Sequence, residues 1–199
     1  LVEGDHNEKG SYFPAALPKP VMGYSPVVKA GPYVFVFGQV ASDVVKADIY
    51  LTDCQDFYRV EGVWKKYFPN DPPARTTVPV TDLGVPGLRV AINLVAYVPE
   101  GGPAKRTIHT NAAPTPLAHE PQAVQAGPFL FLSNQLATDY QTGIVPEARV
   151  DPNFPFHASA AERQLTYIAK NVEAICQAAG TSRANDLAED KTGAEVIQV

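Results

Sequence analysis

The sequence predicts a mixed α+β fold built from two strand-rich halves of equivalent structure. Three observations carry this. Short runs dense in β-branched and aromatic residues are punctuated by Gly- and Pro-rich turns. Two segments, 56–68 and 159–180, place apolar residues at helical spacing. AGPYVFVFGQVASD (30–43) returns as AGPFLFLSNQLATD (126–139), an offset of 96 residues. Chance rarely preserves a Gly-Pro-aromatic turn, a strand and a closing aspartate in register, so the second segment reads as an internal repeat.

Taken in order, residues 1–16 read as an arm. YVFVFGQVA (33–41) is a buried strand and VVKADIYLT (44–52) a second one. Asp53 and Asp56 offer caps to a helix over 56–68. Its apolar stripe is Phe57, Val60, Trp64, Tyr67 and Phe68, and Pro69 ends it. RTTVPV (75–80) and LRVAINLVAYV (88–98) are strands around a GVPG turn, and PEGGPA (99–104) is a linker. The first copy spans 17–99 and the second 104–199.

The repeat extends upstream, with LPKP (17–20) matching APTP (113–116) and Val28 matching Val124. Past 139 the copies diverge. VDPNFPF (150–156) leads into the helix 159–180, with Ser159 as N-cap, Gly180 just past its end, and Leu165, Ile168, Val172 and Ile175 as its stripe. The tail 191–199 reads as one short strand. The first copy lacks such a helix, and the second lacks anything like 44–98. Either the copies complement each other, or stretches between Asp43 and Val44 and near Asp190 are missing from this chain. The abrupt joins favour omission. Strands 33–41 and 128–136 are apolar enough to be buried on both faces, which one helix layer cannot supply, so an association of sheets is expected.

The chain has 199 residues, 45% apolar and 19% charged, with net charge −5, which fits a globular class and disfavours nucleic-acid binding. No apolar run has membrane-spanning length and no signal-peptide pattern appears. Cys54 and Cys176 lie far apart without a CxxC, so they read as reduced thiols of a cytoplasmic protein and not as a disulfide or metal site.

GYSPVVKAGPYVFVFGQVASD, VVKADIYLTDCQDFYRVEGVWKKYF, PPARTTVPV and LRVAINLVAYV, in that order, resemble the successive blocks of the Rid family, the reactive intermediate deaminases also called YjgF or L-PSP proteins. AICQAAG, closing the helix 159–180, resembles the end of that family's first helix. The resemblance covers about residues 17–183, and the PAR corner after LTDCQDF is its most specific part. It implies a Rid/chorismate-mutase-like fold: a mixed sheet packed against two helices, here duplicated, with units meeting in a trimeric or pseudo-trimeric barrel. It also implies ligand clefts between units, hydrolysis of enamines or imines such as 2-aminoacrylate to 2-keto acids and ammonia, and no cofactor or metal. A homo-oligomer, trimer or hexamer, and a small carboxylate-bearing ligand are the expected partners.

Arg75 sits on the proline-braced corner DPPAR. Its planar, permanently charged fork suits a carboxylate, and a rigid corner lowers the entropy cost of binding. The resemblance makes Arg75 the carboxylate anchor; pairing with Asp71 or Asp82 is the structural alternative. The resemblance also points to Tyr24 as the cleft tyrosine and Thr77 as a small polar lining residue. Phe37 stands where the family has a serine, and Asn93 where it has a glutamate. In the second copy Ser133 keeps the serine, while Glu120, after His119, takes the tyrosine position. Glu120 would repel an acidic ligand unless it served as acid or base; an exposed loop pair is the alternative for 119–120, and on a strand the two would face opposite ways. The expected activity is thus Rid-like enamine or imine hydrolysis. The alternatives are a non-catalytic ligand-binding or assembly module, favoured by Phe37 and Asn93, and an endoribonuclease, disfavoured by charge.

Overall fold

In a computed structural model of the chain, residues 10–12, 27–30, 33–37, 43–97, 103–153, 156, 159–182 and 196–198 are described, with 10–12, 27–30, 33–37 and 196–198 described as backbone only. The first half forms a six-stranded mixed sheet from β1 (Gly10–Tyr12), β2 (Val27–Ala30), β3 (Tyr33–Phe37), β4 (Val44–Leu51), β5 (Ala74–Pro79) and β6 (Val90–Tyr97). Its order is β1-β2-β3-β6-β4-β5, with β4 and β5 parallel. Parallel neighbours need a crossover, and α1 (Phe57–Tyr67) supplies it. A 3₁₀ turn at Cys54–Asp56 precedes α1, with Asp53 capping it through Gln55 N–H. Asp56 makes no capping bond to α1 and instead pairs with Arg89 at 2.6 Å.

The second half forms a four-stranded antiparallel sheet, β10-β9-β8-β7, from β7 (Arg106–Ile108), β8 (Ala123–Ala126), β9 (Phe129–Leu132) and β10 (Val196–Gln198). The β2–β3 and β8–β9 hairpins share one register: Val27 opposes Val36 as Ala123 opposes Leu132, and Ala30 opposes Tyr33 as Ala126 opposes Phe129. β6 flanks β3 in the first sheet, and β10 flanks β9 in the second. The second half therefore completes its sheet with the tail strand where the first half uses β6. The helix α2 (Ala160–Ala179) begins on Ser159, whose side chain accepts from Glu162 N–H, and ends at Gly180 in the left-handed conformation, φ 87°.

Alternation along the strands gives each sheet two faces. On one face of the first sheet α1 sets Trp64 and Phe68 against Val44, Ala47, Ile49, Leu51 and Leu94. In the second half α2 sets Ile175, Cys176 and Ala179 against Ile108, Ala123, Leu130 and Leu132. The other faces meet each other: Val45, Ala74 and Tyr97 of the first sheet pack on Val124, Ala126 and Phe131 of the second. The helix stripes need two corrections. Leu165 is 66% exposed and Tyr67 64% exposed. In α2 only the C-terminal turns are buried deeply, because the N-terminal half rests on the 3₁₀ turn Pro146–Ala148 and not on the sheet.

Candidate active site at the boundary of the two halves

The prolines of the 72–75 corner lead the chain into β5 at the seam between the halves. Pro73 is fully buried there, and Arg75 is only 1% exposed. The Arg75 amide donates to Ser133 Oγ at 3.0 Å, and the Arg75 carbonyl accepts from Asn134 N–H at 2.9 Å. Ser133 Oγ in turn donates to the Pro121 carbonyl at 2.6 Å. A serine on the segment leaving β9 thus welds the arginine corner to the second half.

The guanidinium lies between two carboxylates. Its Nε donates to Glu120 Oε2 at 2.7 Å and its Nη2 to Glu61 Oε2 at 2.8 Å. Its central carbon stands 5.1 Å from the Trp64 ring centre and 5.9 Å from that of Phe57, close enough for cation–π attraction. Glu61 Oε1 accepts from the His119 amide at 2.6 Å, and Trp64 Nε1 donates to the His119 carbonyl at 3.1 Å. His119 Nε2 lies 2.7 Å from the Phe68 carbonyl. A carbonyl can only accept, so Nε2 carries the proton.

The two acids differ electrostatically. Burial pushes the Glu120 carboxyl up, Arg75 pulls it back, Glu61 adds to the rise, and the net shift is upward. Burial also raises Glu61, but the Arg75 hydrogen bond, the His119 amide and the charges of Arg75 and Lys65 together hold it below the usual range. The two neighbouring carboxyls are thus pushed in opposite directions, Glu120 up and Glu61 down. Tyr140, in the left-handed region at φ 60°, has its phenol pushed up by burial and by the Glu120 charge.

On the opposite face of β4 and β5 lies a second polar group. Lys46 Nζ donates to the Leu132 carbonyl at 2.6 Å and to Thr76 Oγ1 at 2.7 Å, with Asp48 at 3.9 Å. Burial raises the Asp48 carboxyl, against the pull of Lys46. Lys46 is 3% exposed, so its ammonium is a second tie between the halves.

Of the residues singled out from the sequence, Arg75, Glu120 and Ser133 come together. The partners of Arg75 are Glu61 and Glu120, and not Asp71, which pairs with Lys105 at 3.3 Å, or Asp82, which caps Gly84 N–H. His119 and Glu120 do not form an exposed loop pair: both lie in the network, because they are on an irregular segment free of strand alternation. Thr77 is half-buried two residues along β5 from Arg75, on the same side. Asn93 opposes Asp48 and Phe37, whereas Arg75 opposes Ala47 and Ala47 opposes Leu94. Opposed residues share a face, so Asn93 lies on the other side of the sheet from Arg75. Tyr24 lies outside the described residues, and Phe37 is described as backbone only.

Glu61, Trp64, Lys46 and Tyr140 were not singled out as site residues. Glu61 had a signal: with Phe57, Val60, Trp64 and Phe68 it falls on the stripe that α1 turns inward, an acid where an apolar residue belongs. Among the described residues no cluster of His, Cys, Asp or Glu could hold a metal ion. No described helix is long and apolar enough to cross a membrane.

A family model described as Endoribonuclease L-PSP matches residues 41–98. A RutC family protein of Saccharolobus solfataricus is 32% identical over 106 residues, covering 36% of this chain and 84% of the relative. Since 36% of 199 residues is about 72, about 34 of those 106 aligned positions have no counterpart in this chain. Protein DfrA of Myxococcus xanthus is 47% identical over 55 residues, 28% of this chain and 41% of that protein. Among solved structures, yeast Mmf1 aligns with TM-score 0.42 and 20% identity over 46% of this chain and 100% of that one. RidA from an Antarctic Psychrobacter aligns with TM-score 0.36 and 25% identity over 41% of this chain and 93% of that one. With the arginine corner, the parallel β4–α1–β5 unit and a relative matched over most of its length, the chain belongs to the Rid family, the YjgF or L-PSP proteins.

Proposed function

We propose that the boundary site is a Rid-type hydrolytic cleft that accepts a carboxylate-bearing enamine or imine and releases a keto acid and ammonia. The observation that carries it is the meeting of Arg75 from the first half with Glu120 and Ser133 from the second. A ligand carboxylate exchanges with Glu120 at the guanidinium, one carboxylate for another on the same fork. Its elevated affinity for protons lets Glu120 give up that ion pair as a neutral acid. In that state it donates its proton to the β-carbon of the enamine, giving the iminium cation and leaving the Glu120 carboxylate. Water adds to the iminium carbon, the C–N bond of the resulting carbinolamine breaks, ammonia leaves, and the excess proton returns to Glu120. The net change consumes one water per keto acid and ammonia formed. The family resemblance read from the sequence is what favours association into a trimer.

A second reading, an assembly module without turnover, is favoured by one observation: Arg75 is 1% exposed and already doubly paired. Ammonia release from 2-aminoacrylate generated in situ separates the two. Hydrolysis above the spontaneous rate, lost in Glu120→Gln and weakened in Arg75→Lys, supports the cleft. No acceleration, together with no calorimetric binding of pyruvate or 2-ketobutyrate, leaves the assembly module.

A further inference from the structure

The two carboxylates on the Arg75 guanidinium are not held alike. Glu61 engages both of its oxygens. Oε2 accepts from Arg75 Nη2 at 2.8 Å, while Oε1 accepts from the His119 amide at 2.6 Å and stands 3.7 Å from Lys65 Nζ. Its backbone lies in α1, the crossover that leads into the β5 corner, so Glu61 and Arg75 belong to one half. Glu120 comes from the other half, on the segment between β7 and β8. Among the described residues its side chain is held by one oxygen only, through the 2.7 Å bond from Arg75 Nε.

Releasing Glu61 would undo two hydrogen bonds to the carboxylate, and releasing Glu120 undoes one. The acidities run the same way: Glu61 is held below the usual range and stays ionised, and Glu120 is pushed above it. A carboxylate entering at the guanidinium therefore replaces Glu120 and finds Glu61 still in place. A guanidinium has five N–H donors and the two acids occupy only Nε and one N–H of Nη2, so donors remain for the ligand.

Once Glu120 is displaced, the charges of Arg75 and Glu61 cancel. Lys46, the other cation that acts on Glu120, has Asp48 at 3.9 Å, and Lys65 is exposed to water. The anchored carboxylate of the ligand already brings one negative charge beside Glu61. A second carboxylate on a small ligand would add another, where burial leaves little water to screen the repulsion. We infer that Glu61 is the specificity-determining residue of the boundary site, fixing the guanidinium for ligands with a single carboxylate and disfavouring dicarboxylates. The inference rests on the reading of that site as a carboxylate cleft.

Succinamate and succinate provide the test, because they match in skeleton and size and differ at neutral pH by one charge. Calorimetry on the full chain should show succinamate bound about tenfold or more tightly than succinate. Glu61→Gln keeps the shape and removes the charge, and should bring the two affinities within about threefold of each other. Glu61→Asp keeps the charge and should keep the preference. A purely structural role would move both affinities together and leave their ratio unchanged. Circular dichroism checks that each variant is folded, and Glu61→Asn is a second neutral variant. Equal affinities in the wild type overturn the inference. So does a preference that persists in the neutral variants, or one lost in Glu61→Asp as fully as in Glu61→Gln. Pyruvate separates the two failures. Pyruvate bound without discrimination between succinamate and succinate overturns the role of Glu61 alone, whereas neither pyruvate nor succinamate bound overturns the carboxylate cleft and the inference with it.

Discussion

Arg75 shows how one residue can serve a site and a seam together. A guanidinium with 1% exposure is tolerable only because both flanking carboxylates and two aromatic faces compensate its lost hydration. The prolines brace the corner in sequence, but the structure also ties it down through Arg75. Arg75→Ala should destabilise the chain by about 3–5 kcal/mol, because Glu61 and Glu120 are left buried without their shared cation. Urea unfolding measures it, and a change under about 1 kcal/mol would reject a structural role. The acids also give a pH signature. Glu120 is raised, so its contribution is complete below its ordinary value near 4.5 and is lost as pH rises through the higher folded value. Glu61 is lowered, so its contribution is present above that value and is lost as pH falls through the depressed one. Stability followed from acid to neutral pH should decline less steeply in Glu120→Gln than in the wild type. Parallel curves would remove Glu120 from the account.

At the scale of elements, α2 was legible in the sequence and its burial was not. Ser159 and Gly180 mark its ends as capping chemistry requires. Ser159→Ala should cost about 0.5–2 kcal/mol through the lost bond to Glu162 N–H. Leu165→Gln should lie within about 0.5 kcal/mol of the wild type, since that side chain is 66% exposed, whereas Ile175→Ala, at 0%, should cost about 2–5 kcal/mol. Thermal melts of the three variants test that ordering. Equal losses at 165 and 175 would mean that both ends of the stripe are buried in solution. Helical periodicity names the residues of a stripe; which of its turns are covered depends on what lies beneath.

At the scale of the molecule, the halves are joined by a shared core and by polar ties that include those of Arg75, Ser133, Lys46 and His119. Such coupling predicts one cooperative transition. Trp64 emission follows the first half, and far-ultraviolet dichroism of α2 weights the second. Their unfolding curves should coincide in the wild type. Ser133→Ala leaves the Arg75 amide and the Pro121 carbonyl without this partner, at about 1–3 kcal/mol, and should draw the curves apart. Separate transitions in the wild type would show instead that the halves fold independently.

By itself the sequence determined much of the local order: the strands of β3 to β6, both helices, the repeat at 96 residues, the caps of α2, and the family resemblance through its PPAR corner, but not β1, which lies in the stretch read as an arm, or β7. These are short-range properties, set by periodicity and backbone chemistry within a few residues. Only the tertiary structure decided which charges meet. Glu61 is 14 residues from Arg75, Glu120 is 45 and Ser133 is 58, and apart from the inward place of Glu61 on α1 no local pattern ranks them above the nearer Asp71 or Asp82. Burying a guanidinium selects whichever carboxylates the fold brings within hydrogen-bonding distance. That choice is made by the contact between the sheets, where β5 meets the segment leaving β9.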